Sequence, residues 1–214
     1  MANLYSNDQI GLINMCLLSI GESPIPDTAD VTTLGDGTDA SIARDVVEKV
    51  SKNVQAQGWY FNTDYLATLT PDATENKIII PDSVLRLDFS GTTARDSLTL
   101  IVADKDGVGT RGRVVWDIFK HTDIFTEEIR ADVIVNVPYA ELPMLCYEYI
   151  GARASRQFQQ QVLGATDLSQ NNLLLEQEAK TAFEREQLQY INRNMMSARI
   201  SMRLANPGRF WRGA

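Results

Sequence analysis

The side chains best equipped for chemistry are few and scattered. The chain carries two cysteines, Cys16 and Cys146, and one histidine, His121. A zinc site takes about four Cys or His ligands at close spacing, which three distant candidates do not supply. Both cysteines fall inside apolar helical patterns, where a thiol acts as a small hydrophobe. His121 lies in the polar run Lys120-His121-Thr122-Asp123 and reads as a solvated surface residue. That leaves no imidazole for a nucleophilic triad. Gly107-Val108-Gly109-Thr110-Arg111-Gly112 matches G-x-G-x-x-G. The fingerprint needs a helix opening at its end, and Arg113-Val114-Val115-Trp116 reads instead as a strand, so the segment is a hairpin loop. Neither G-x-x-x-x-G-K-[ST] nor G-x-S-x-G occurs. Asp104-Lys105-Asp106-Gly107 starts like a calcium loop, without the later ligands or the terminal Glu. Carboxylates abound: Glu22, Asp27, Asp30, Asp36, Asp39, Asp123, Glu127 and Glu128. A glycosidase pair sets two of them about 5–10 Å apart, a separation no sequence displays. They read as a solvated acidic surface. The expectation is a chain with no catalytic residues, no cofactor and no metal.

The arginines carry more information. Arg193, Arg199, Arg203, Arg209 and Arg212 are the only charged residues after Asn192. The chain has a net charge of −8, with 20 basic and 28 acidic residues, so the first 192 residues hold 15 basic and 28 acidic groups, a net of −13. An acidic body with a basic tail is the pattern of an interaction arm. The body itself repels phosphate and is ill suited to free nucleic acid. Phe210 and Trp211 sit among these arginines, a mixture that concentrates at partner surfaces. In Gly151-Ala152-Arg153-Ala154-Ser155-Arg156-Gln157-Phe158, small residues alternate with arginines on one helix. Small side chains permit close helix approach, and arginines form bidentate pairs with carboxylates. Arg153, Arg156 and Gln157 are therefore read either as part of an intrachain salt bridge or as a bridge between subunits.

Positioning these groups requires a core, and the chain can build one. It has 214 residues, 44% of them hydrophobic, enough for one large or two small domains. No apolar run approaches the ~20 residues of a membrane span. Met1-Ala2-Asn3-Leu4-Tyr5-Ser6-Asn7-Asp8 has no basic segment followed by an apolar one, so folding in a cytoplasm is expected. Ser6 with Gln9 predicts a capping box, and Tyr5 with Ile10 a hydrophobic staple, opening a first helix that Gly21 stops. Residues 22–38 are rich in Pro, Asp, Thr and Gly and read as a loop. Ala43, Val46, Val47, Val50 and Val54 predict a second helix over 39–57. From Trp59 to about Val137 the period becomes two, as in Leu85-Leu87-Phe89, Leu98-Leu100-Val102 and Val133-Val135-Val137. Helical spacing returns in Leu142, Leu145, Cys146, Tyr149 and Ile150, continues to Phe158 and Val162, and ends at Gly164. Asp167 and Gln170 predict the cap of a long fourth helix bearing Leu168, Leu175, Ala179, Ala182, Phe183 and Tyr190. The expected fold class is α+β: a four-helix bundle (1–58 and 138–192), an inserted antiparallel β domain (59–137) and an extended C-terminal arm (193–214).

Several stretches, in order, carry a likeness to a known family. They are Ile20-Gly21-Glu22-Ser23-Pro24, Ala43-Arg44, Gln57-Gly58-Trp59-Tyr60-Phe61-Asn62, and Ala154-Ser155-Arg156-Gln157-Phe158 followed by Gly164. With this set the chain resembles tail tubular protein A, the head-to-tail adaptor of short-tailed bacteriophages. The resemblance spans residue 5 to about residue 190. It implies a helical bundle plus a β domain, assembled as a dodecameric ring in the virion tail. It also implies a portal protein on one face, a hexameric nozzle (tail tubular protein B) on the other, and tail fibres or spikes near that second junction. DNA would pass through the central channel without specific binding, and acidic residues could line that lumen. On this reading Arg193, Arg199, Arg203, Arg209, Phe210, Trp211 and Arg212 form the portal-binding arm, and Arg153, Arg156 and Gln157 the subunit interface. The rival expectation is a glycan or peptidoglycan hydrolase of the virion, against which stands the lack of any recognisable acid–nucleophile set. A head-completion connector of a long-tailed phage is a third.

Overall fold

The computed structural model describes residues 8–26, 29–35, 37–89, 97–105, 108–164 and 168–195. The described residues form four α-helices and two small antiparallel sheets, an α+β fold. The chain divides into two compact units, residues 51–138 and the segments 1–50 with 139–214.

The helical unit is built on α3 (Met144–Val162), against which both α1 (Gln9–Ser19) and α4 (Leu168–Met195) pack. The start of α1 corrects the expected capping box. The N-cap is Asp8, whose carboxylate accepts from the Gly11 N–H at 2.7 Å. A carboxylate is the better acceptor here because it also meets the positive end of the helix dipole. Ser6 and Tyr5 lie outside the described residues. At the other end the Gly21 N–H bonds the Leu18 carbonyl and the Glu22 N–H bonds the Leu17 carbonyl. This pair of bonds closes the helix and satisfies two of its last carbonyls. Leu12, Ile13 and Cys16 are fully buried on one side of α1. On α3, Cys146, Ile150, Ala154 and Phe158 recur at helical spacing and are fully buried. Gly151 lets the two helices approach: a Cβ there would sit 2.5 Å from Met15 Sδ and 3.3 Å from Leu12 Cδ2. α3 closes before Gly164, which has φ +75°. Asp167, the expected cap of α4, lies outside the described residues.

Helix α2 (Asp39–Gln55) begins in the helical unit and ends in the other. Its valines Val46, Val47, Val50 and Val54 are all buried, as their spacing predicts. The β unit holds β1 (Thr63–Leu69), β2 (Ile79–Ile80), β3 (Val84–Asp88), β4 (Leu98–Asp104), β5 (Arg111–Asp117) and β6 (Ile129–Val135). They form two three-stranded sheets, ordered β1-β6-β3 and β2-β5-β4. Ile78, Ile80, Val84, Phe89, Leu98, Val115, Ala131 and Val133 make their common core. The alternation expected of β4 weakens toward its end, where Val102 is 65% exposed.

The passage from α2 into β1 depends on three side chains. Asn62 is buried; its amide donates to the Gln55 and Val135 carbonyls at 2.9 and 3.0 Å, and its side-chain carbonyl accepts from the Trp59 N–H at 2.8 Å. The Gln55 side chain accepts from the Val137 N–H at 2.7 Å and donates to the Val137 carbonyl at 3.1 Å. The Trp59 indole donates to the Val54 carbonyl at the end of α2. Gly58 makes the turn with φ +82°, and a Cβ there would meet Ile134 Cδ1 at 2.8 Å. Buried backbone groups that leave helix and strand ladders thus find side-chain partners.

Candidate interaction surfaces

The two arginines singled out on α3 both turn toward α4. Arg156 donates through Nε to Glu176, and its Nη1 reaches Gln160 at 3.1 Å. Arg153 Nε stands 3.9 Å from the other oxygen of Glu176, and its Nη1 donates to the Tyr149 hydroxyl at 3.1 Å. The side chain of Glu176 is 12% exposed, that of Arg153 26% and that of Arg156 21%. One carboxylate therefore serves two guanidinium groups at the rim of the helix pair, and the arginines still reach solvent. Gln157, also singled out, is half-buried on the same helix.

The neighbouring Gln159 ties three helices together. It donates to the Ser19 carbonyl at the end of α1, at 3.2 Å, and accepts from Asn172 of α4 at 2.8 Å. Farther along, Phe183 of α4 is fully buried beside the Tyr149 ring, with centroids 6.2 Å apart. The Tyr147 hydroxyl donates to the Asp8 carbonyl, and burial is the main cause that pushes its pKa up to about 12. Both cysteines are fully buried, and burial lifts each thiol to about 12. For Cys146 the nearby Glu186 charge adds to the rise. Neither thiol is a nucleophile in that state.

Of the arm residues, Arg193 lies in the last turn of α4. Arg199, Arg203, Arg209, Phe210, Trp211 and Arg212 lie outside the described residues.

Two of the acidic residues singled out, Asp30 and Asp123, have local partners. Asp30 accepts from the Thr32 hydroxyl and N–H, and these bonds hold its carboxyl below the usual range. Asp123 pairs with Lys77 at 3.5 Å. Asp27 and Asp36 lie outside the described residues. Among the described residues, no three His, Cys, Asp or Glu side chains gather as a metal site would require. No described helix is long and apolar enough to cross a membrane. In the glycine-rich segment, the Gly109 N–H bonds Asp104 Oδ2 at 3.0 Å, and Asp104 stands opposite Arg111 in the antiparallel pairing of β4 with β5. The segment thus joins two strands, with no helix opening to receive a phosphate.

Exposed apolar side chains supply further surfaces. Along α4, Leu174 and Leu188 are each 58% exposed. In the β unit, Phe119 is 74% exposed at the tip of a turn that Asp117 braces, its carboxylate accepting from the Phe119 and Lys120 N–H groups at 3.0 Å. Tyr65 and Leu66 project from a bulge in β1, where Leu66 has φ +57° and its N–H bonds the Asp132 carboxylate. The leucine signal was present as Leu173-Leu174-Leu175 in an otherwise polar helix. The Phe119 and Tyr65 signals are single residues without a pattern.

A family model described as tail tubular protein (Tube) matches residues 11–193. No curated protein matches the chain.

Proposed function

The chain belongs to the tail tubular protein family, and we propose that it is the head-to-tail adaptor subunit of a phage tail. Membership makes it a structural component of the virion tail. The observation that carries the finer reading is that the matched residues, 11–193, run through both the helical and the β unit. In the proposed assembly a dodecameric ring docks on the portal by one face and on the hexameric nozzle by the other. Tail fibres or spikes attach near the nozzle junction, and the genome passes through the lumen. Ala43, Val46, Val47 and Val50 are buried on α2, which supports its joining α1, α3 and α4 in a four-helix bundle. Arg153, Arg156 and Gln157 would lie at the contact between neighbouring subunits, with Glu176 holding both guanidinium groups ready at the rim. The segment from Arg193 onward would grip the portal through its arginines, Phe210 and Trp211. Its lack of acidic residues, against a body of −13, supports that role.

Negative-stain imaging of the full chain mixed with its portal tests the adaptor. Rings stacked on portal particles are expected; failure to form them on an intact portal would remove the reading. Deleting residues 193–214 is expected to abolish portal binding while the remaining chain stays folded. Portal binding at undiminished affinity would show that the grip lies elsewhere.

A further inference from the structure

α4 has two faces, and the packing against α3 uses only one. Asn172, Glu176, Phe183 and Glu186 are directed to α3: three make the contacts already described, and Glu186 acts on Cys146. On the other side, Leu174, Glu178, Thr181, Arg185 and Leu188 recur at spacings of four and three, and all five are exposed. Such spacing keeps a single face in line along a helix. Between residues 174 and 185 this face holds a shallow open groove of about 360 Å³, lined also by Gln177 and Ala182. Glu178 and Arg185 have no ion pair among the described residues, whereas Lys180 and Glu184 pair with each other at 3.6 Å.

The order of these residues reads the same in both directions once charge sign is exchanged. Leu174 and Leu188 stand at the ends, Glu178 and Arg185 inside them, and the small Thr181 and Ala182 in the middle. We propose that this face of α4 binds the same face of a second copy, antiparallel, about a two-fold axis beside Thr181 and Ala182. Leu174 of each copy then faces Leu188 of the other, and Glu178 faces Arg185, each contact occurring twice. The small residues at the centre let the backbones approach, as close helix pairs require. The crossed Glu178–Arg185 pairs favour this occupant. Two chains of net charge −8 repel each other. Glu178, Lys180, Glu184 and Arg185 cancel, so the face itself adds no net like charge to that repulsion. A two-fold contact of this kind is closed and gives a dimer, not a ring. It describes the free chain and does not rest on the ring or on the portal.

Sedimentation equilibrium of the full chain, without portal, tests the pairing. Concentration-dependent dimerisation is expected; a monomer at every soluble concentration overturns it. Glu178→Arg alone and Arg185→Glu alone should each weaken self-association roughly tenfold or more, since both crossed pairs turn repulsive. An equimolar mixture of those two variants should recover the dimer. The first variant carries a basic group at both positions and the second an acidic group at both, so each crossed pair in the mixed dimer is again attractive. If both variants weaken association and the mixture does not recover it, the contact is not self-complementary and the proposal falls. Leu174→Asp with Leu188→Asp should abolish the dimer, and an unchanged dimer would overturn it too. All four positions are exposed, so circular dichroism should report unaltered helix for each variant.

Discussion

In the helical unit two of the most exposed apolar side chains, Leu174 and Leu188, share one face of α4 with Glu178, Thr181 and Arg185 between them, whereas the most exposed ones of the β unit stand on separate connections and strands. Val108 is 87% exposed, Phe119 74% and Tyr65 69%, each on a different connection or strand. A mixed face of this kind offers another helix both apolar ends and paired charge. A single aromatic on a braced turn offers an anchor for a pocket. The interiors differ as well. The β unit closes its entry with neutral side-chain bonds to buried backbone, centred on Asn62 and Gln55. The helical unit closes its rim with charges, two arginines on Glu176, and its centre with Gln159.

That contrast predicts the largest effect at Asn62. Asn62→Ala leaves the Trp59 N–H and the Gln55 and Val135 carbonyls without this partner, in a buried setting. The expected loss is about 3 kcal/mol of unfolding free energy in urea titrations. A loss well under about 1 kcal/mol would mean that the contrast between neutral and charged closures is false. Glu176→Gln should cost less, about 1 kcal/mol, because both arginines keep contact with solvent. Its effect should shrink at high salt, whereas that of Asn62→Ala should not. Equal salt sensitivity of the two variants would erase the distinction.

The smallest effect at neutral pH belongs to the thiols. Their folded pKa values near 12 lie above the ordinary value of 9.0, so folding favours the protonated form. The stability they contribute is complete below pH 9 and is lost as pH rises toward 12. By about pH 9.5 each thiol should lower stability by about 0.8 kcal/mol. Cys16→Ala with Cys146→Ala should flatten that alkaline decline while leaving the neutral-pH behaviour of the β unit untouched. A decline of unchanged slope in the double variant would assign it to other groups.

Much of the secondary structure was legible because burial imposes a period. The valines of α2 and the apolar positions of α3 repeat at helical spacing, and one-sided exposure leaves no other reading. Alternation marked β3, β4 and β6 for the same reason. β2 has only two residues, Ile79 and Ile80, too few for any period to register. The cap of α1 was not legible, because Ser6 and Asp8 both suit the position and local sequence does not decide which one the chain folds upon. At the rim, the pairing of Arg156 with Glu176 joins residues 20 apart, so no local pattern announces it.

By itself the sequence determined the helical segments and most of the strands, the charge split between body and tail, and the family. These depend on neighbours along the chain or on order along it. Only the tertiary structure decided that the strands divide into two sheets, that Asn62 and Gln55 close the β unit, and that Glu176 takes both arginines. It alone separated the face of α4 that α3 covers from the one left open. Each of these is a choice among partners distant in sequence. Such choices are made by packing and by the need to pair buried polar groups, not by local propensity.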